Sequence, residues 1–212
     1  MKDFLQIFPS DYLRFYLVSI NPYSQDDLNF DWDEFSTKIN SELIGNLGNL
    51  VNRALGFTVK TFDGLVPEPE VYDELDIESE KMIKELADKL DELLQKNHLD
   101  RALRKILEFS SHFNQYFQHK EPWKKGHGTN SCVFLSVNAV RSIAIAIYPF
   151  LPKSSQKIWE QLGLDGDISE RSFEEISNIS INASHRICKI EPLFAKVEES
   201  VIEEQKSKLG SK

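Results

Sequence analysis

Residues 130–148 are apolar on nearly every side of a helix. Such a helix must be covered all round, by lipid or by protein. Arg141 interrupts the most apolar stretch, residues 133–151, and Pro149 and Pro152 close it, so a membrane span is not expected. The segment is expected to be the central helix of a bundle, with the other elements wrapped around it. A chain of 212 residues is long enough to build that core.

Elsewhere the apolar residues recur with helical spacing. Leu13, Tyr16, Leu17 and Ile20 stand at i, i+3, i+4 and i+7, and Asn21-Pro22 should end that helix. Asp31, three residues before Glu34, suits a helix cap. A long helix follows, with Phe35, Ile39, Leu43, Leu47, Leu50, Val51 and Leu55 inward and Gly56 as its expected stop. Residues 57–70 read as a loop, marked by Asp63-Gly64. Two more helices are expected over 76–96 and 99–118, and a short one over 154–162 that Gly163 closes. Residues 164–190 alternate weakly and fit short strands or irregular loop. Pro192 suits the first turn of a last helix. Trp32 and Trp159 stand at core spacing, and Cys132 and Cys188 are expected as buried thiols. The expected architecture is all-α, one helical bundle over 1–190 with a terminal helix over 191–212.

The net charge of −9 and pI near 5.1 argue against a protein that coats nucleic acid electrostatically. The charge is unevenly placed. Residues 70–97 hold ten acidic and four basic side chains. From 101 to 125, Arg101, Arg104, Lys105, Lys120, Lys124 and Lys125 face only Glu108 and Glu121. A local basic surface is therefore compatible with the acidic total. No secretion signal opens the chain, and a cytoplasmic location follows by default.

Two segments carry the candidate chemistry. In the long helix, Glu42, Asn46, Asn49 and Arg53 fall together opposite the apolar side. Most such stripes are only solvated faces. Here Gly45 and Gly48 interrupt the helix, each at a cost of about 1 kcal/mol relative to Ala, and need a reason such as a close neighbour. An Asn and an Arg one turn apart can match a base edge. In the second segment, Trp123 follows Pro122 and precedes Lys124 and Lys125. A ring held at a loop edge can stack a base, or it can plug the bundle. No HExxH, P-loop, GxSxG or GxGxxG pattern is present. The five histidines pair with no cysteine or carboxylate at ligand spacing, so no catalytic residue and no metal site is expected.

The order DYLRFYL, NSELIGNLGNLVNRALGF, NQYFQHKEPWK, YPFLPKSSQKIWEQLGL and KIEPLFAKVEE resembles the C-terminal half of methionyl-tRNA synthetases, in wording closer to the archaeal and eukaryotic branch. The resemblance runs from about Lys2 to about Glu199. It implies a helical anticodon-binding domain of the class I synthetase type. It implies that Asn49 and Arg53 hydrogen-bond anticodon bases, and that Trp123 stacks the first of them, a cytosine. It implies supporting roles for Asn114 and Pro122, and Asn46 on the polar stripe and Gln118 are counted as supporting residues with them. Gln118 stands where bacterial members carry an acidic residue, so that residue's role does not transfer. The terminal helix is similar to a segment that folds back towards the catalytic domain. The family's ATP-binding HIGH-type and KMSKS-type motifs and its zinc-bearing insertion lie upstream of the matched region. Met1 is thus expected to open a fragment that binds tRNA for methionine, holds no cofactor itself and catalyses nothing alone. The competing expectation is a helical protein-interaction domain without RNA binding.

Overall fold

The computed structural model describes residues 2–20, 29–188 and 190–209. Asn21 and Pro22, the expected end of the first long helix, lie outside them. The elements in order are α1 (Lys2–Ile7), α2 (Ser10–Ile20), α3 (Trp32–Lys38), a π-helical segment (Ile39–Gly48) and α4 (Asn49–Thr61). Then come α5 (Glu74–Lys84), α6 (Leu86–Gln95), α7 (Leu99–Lys120), α8 (Thr129–Ile147), α9 (Pro152–Gln161) and α10 (Glu199–Leu209). Short 3-10 turns lie at Pro122–Lys124, Ile168–Glu170 and Phe173–Ser177. Among the described residues there is no sheet, only an isolated bridge between Leu65 and Arg186.

The all-round apolar segment is the centre. α8 is buried along nearly its whole length, packed against α4, α5, α7 and α9. It is long and apolar enough to cross a membrane, but 94% of that stretch is inside the protein. Two of its polar side chains, Asn138 and Arg141, tie it to the segment after α9. Asn138 donates to the Ile181 carbonyl at 3.1 Å and accepts from the Ile181 N–H at 3.0 Å. Arg141 donates to Glu175 Oε2 at 3.0 Å and to the Glu175 carbonyl at 2.8 Å. Burial pulls the Arg141 pKa below the usual value, and the Glu175 charge opposes that pull. These bonds fasten residues 164–188, which form 3-10 turns and loop rather than strands.

Several boundaries differ from the sequence expectation. α2 buries Asp11, Tyr12, Phe15 and Tyr16, and leaves Leu17 39% exposed. Asp11 is inside because its carboxylate accepts from the Ser154 N–H and hydroxyl, which caps α9 from a distance. α4 runs through Gly56 to Thr61 and stops only where Asp63 and Gly64 take positive φ, 51° and 79°. The expected 76–96 helix divides at Glu85, where the Ser177 hydroxyl accepts the Ala87 N–H. Residues 190–198 are an extended strap, and the last helix begins at Glu199 rather than at Pro192. Cys132 is buried, and burial pushes its thiol up to about 12. Cys188 is exposed, not buried. Trp159 is core, whereas Trp32 is only partly buried, in a cluster with Phe4, Phe8, Phe30 and Phe35.

Candidate nucleic-acid interface

The π segment and α4 lie along α7. Between them runs a chain of amides whose direction is fixed by two backbone carbonyls, those of Leu107 and Asn46. Asn46 Nδ2 donates to the Leu107 carbonyl at 2.9 Å, which leaves its Oδ1 to accept from Asn114 Nδ2 at 3.1 Å. Asn114 Nδ2 also donates to the Asn46 carbonyl at 2.9 Å. A carbonyl can only accept, so the Asn114 amide cannot be flipped. Its Oδ1 must face Asn49, whose Nδ2 donates to it at 2.8 Å. The consequence is chemical: Asn49 presents its carbonyl oxygen outward, and that oxygen takes no hydrogen bond among the described residues.

Arg53, one turn further on, is held by the same helix. Its Nη1 donates to the Asn114 carbonyl at 3.4 Å and its Nη2 to Gln118 Oε1 at 3.0 Å. Its guanidinium lies 5.1 Å from the Phe117 ring centroid and 5.8 Å from that of Trp123. Two rings and two acceptors therefore fix a planar cation, with donors to spare.

Trp123 is placed by a tight turn. α7 ends at Glu121 in the left-handed region (φ 43°), and buried Pro122 opens the 3-10 turn Pro122–Lys124. The Lys124 and Lys125 amides close it onto the Glu121 and Pro122 carbonyls at 2.9 and 3.0 Å. The indole stands 43% exposed beside Phe117, with centroids 6.5 Å apart. It is not a plug.

The seven residues singled out in the sequence thus come together: Asn46, Asn49, Arg53, Asn114 and Gln118 through hydrogen bonds, Pro122 and Trp123 through the turn. Phe117 was missed. It sits at i+3 from Asn114 on the same face of α7, a spacing that could have found it. The expected basic surface is smaller than the charge count suggested. Lys120 is 8% exposed and bridges Asp73 and Asp76, both at 2.7 Å. Lys124 pairs with Glu121 at 2.6 Å. Arg101, Arg104 and Lys125 remain exposed.

A family model for the anticodon-binding domain of methionyl-tRNA ligase matches residues 66–212, more than half of the chain, and one for class I tRNA synthetases (M) matches residues 1–55. The chain belongs to the methionyl-tRNA ligase family. It is 40% identical over 206 residues to the methionine–tRNA ligase of Pyrococcus horikoshii, covering 95% of this chain and 28% of that protein. With the ligase of Methanopyrus kandleri it shares 37% identity over 213 residues, 99% of this chain and 31% of that one. The chain therefore spans about three tenths of these relatives' length. The fold matches apo methionyl-tRNA synthetase of Mycobacterium tuberculosis with a TM-score of 0.84 at 24% identity, over 92% of this chain and 40% of that one.

The amide chain gives a direct test of the site's construction. Asn114→Asp puts a carboxylate against the Asn46 carbonyl and Oδ1. Both donations to Asn46 are lost and a charge faces two acceptors, so the substitution should cost about 1–3 kcal/mol of stability. A melting curve at neutral pH measures it.

Proposed function

We propose that this chain reads the CAU anticodon of tRNA for methionine. It does so as part of a cytoplasmic methionine–tRNA ligase whose catalytic domain, in the same polypeptide, uses ATP to join methionine to that tRNA. The observation that carries the reading is the fixed direction of the amide chain from Leu107 to Asn49. A cytosine edge offers an amino donor beside two acceptors. The outward Asn49 oxygen suits the donor, and the spare Arg53 N–H groups suit the acceptors. Trp123 supplies the face on which the base stacks. Guanine offers N–H donors where cytosine has acceptors, so Arg53 would meet donors and the base would be rejected.

The ATP site and a zinc-bearing insertion belong to the rest of the polypeptide. Among the described residues no group of three His, Cys, Asp or Glu side chains could hold a metal. Support for a neighbouring domain comes from the start of the chain. Leu5, Ile7 and Leu17 on α1 and α2 are exposed apolar side chains, which a neighbouring domain would cover in part.

The test is a fluorescence titration with anticodon stem-loops carrying CAU or GAU at one fixed moderate salt concentration, because backbone contacts alone vary steeply with salt. CAU should bind more tightly and quench tryptophan emission. Equal binding of both would defeat the reading. Arg53→Lys keeps the charge but loses the planar fork, and should weaken CAU binding about tenfold. Parental affinity in that variant would remove Arg53 from base recognition.

A further inference from the structure

The residues just before Asn49 are not α-helical. From Ile39 to Gly48 the backbone is a π-helix, and the Asn49 N–H reaches back five residues to the Ile44 carbonyl. Such wide turns are rare, usually short, and frequent at functional sites. Returning this ten-residue segment to α geometry would change the twist at every residue and so turn everything beyond it relative to what precedes. The facing of Asn49 and Arg53 towards α7 therefore depends on what holds this register.

The strap of residues 190–198 lies across it. Asn40 Nδ2 donates to the Val197 carbonyl at 2.9 Å, and its Oδ1 accepts from the Val197 N–H at 2.9 Å. Tyr12 does the same for Ala195, donating to its carbonyl and accepting from its N–H, both at 2.8 Å. Gln161 Nε2 donates to the Glu191 carbonyl at 2.9 Å. Between these grips the Phe194 ring sits over Gly48. A Cβ at Gly48 would lie 3.2 Å from Phe194 Cδ2 and 3.2 Å from the Leu43 carbonyl oxygen, and one at Gly45 would lie 3.3 Å from the Asn40 carbonyl oxygen. The two helix-interior glycines thus admit the wound-out backbone and the ring above it. Beside Phe194 a cavity of about 570 Å³, walled by Gly45, Gly48, Asn49 and Asn52, leaves room for a different seating.

We infer that Phe194 and Asn40, acting from the strap on Gly48 and the π turn, are positioning residues that set the base selectivity of Asn49 and Arg53. They need not touch RNA to do so. The inference rests on the anticodon reading proposed above.

The experiment compares the chain with Phe194→Ala, Phe194→Leu and Tyr12→Phe variants. One readout is the side-chain amide NMR resonances of Asn46, Asn49 and Asn114, which needs no RNA. The other is the ratio of CAU to GAU stem-loop affinity. Phe194→Ala should move the three resonances and lower the ratio about fivefold, roughly the effect of one net hydrogen bond. Phe194→Leu should restore most of both. Unmoved resonances in the folded Ala variant overturn the inference. So does an unchanged ratio in a protein that discriminates. A parent chain that does not discriminate defeats the anticodon reading instead, and the resonances then decide the positioning alone. If Phe194→Ala does not fold, Tyr12→Phe loses only the hydroxyl's bonds to Ala195. Unmoved resonances there overturn the inference as well.

Discussion

Lys120→Met is expected to destabilise the protein by about 3–5 kcal/mol, the usual cost of removing one partner of a buried ion pair. Asp76 is fully buried. It accepts from the Tyr116 hydroxyl at 2.6 Å and from the Asp73 N–H at 3.1 Å, and Lys120 supplies its counter-charge at 2.7 Å. Methionine fills the same space and leaves the carboxylate without that charge. For a chain of this length the loss corresponds to a fall in Tm of about 6–20 °C. Asp76→Asn added to Lys120→Met should recover much of it, because the buried charge is then gone. A Tm for Lys120→Met within 2 °C or so of the parent would show the pair to be dispensable.

The same network gives a pH dependence at both ends. Burial pulls the Lys120 pKa down, but the hydrogen bonds and charges of Asp73 and Asp76 outweigh it and leave it raised above 10.5. Its stabilisation is whole below that value and disappears as pH rises through the raised folded-state pKa. The Lys120 hydrogen bond, followed by the Asp76 amide and the Lys120 charge, holds Asp73 below 3.8 against its own burial. That contribution is whole above 3.8 and is lost as pH falls through the lower folded value. In Lys120→Met both dependences should flatten. Gly128, at φ 84°, closes the site: its N–H donates to Glu70 at 2.6 Å, and a Cβ there would lie 3.0 Å from Lys120 Nζ. Gly128 is thus a structural residue of this network.

What could be read from the chain follows from which forces are local. Apolar spacing is local, and it placed α7, α8 and α9 within a few residues. The stop of α4 was also written locally, in Asp63-Gly64, but Gly56 looked like an earlier stop because a glycine ends a helix only where φ turns positive. The break at Glu85 was not legible, because its cap comes from Ser177. The strap was misread as helix because the N–H groups of Ala195 and Val197 are taken by Tyr12 and Asn40, more than 150 residues away in sequence. At the site, Asn49, Arg53 and Trp123 stood out by spacing and setting. The direction of the Asn46–Asn114–Asn49 chain did not, since it depends on the Leu107 carbonyl. Nor did the neutralisation of Lys120, whose partners lie on another helix and its cap.

Trp123→Ala should cost about 1–3 kcal/mol of anticodon stem-loop affinity, the usual worth of one base–aromatic stack. Stability should barely change. The opposite result, a lost melting transition, would hold if the indole sealed the bundle. The geometry separates the two cases. Phe117 beneath it is 2% exposed and already closes the core, while the indole is 43% exposed. The turn that carries it is fixed by Pro122, by two backbone hydrogen bonds and by left-handed Glu121 and Lys125, none of which needs the ring. The Arg53 guanidinium keeps Phe117 at 5.1 Å when the indole is gone. Trp123→Phe should then recover part of the affinity, because a smaller ring still offers a face. Selectivity for CAU over GAU should survive both substitutions in part, since stacking tolerates any base and the proposed readers of the edge are Asn49 and Arg53. A variant that lost selectivity while keeping its affinity would transfer base reading to the indole and leave the amide chain a structural brace.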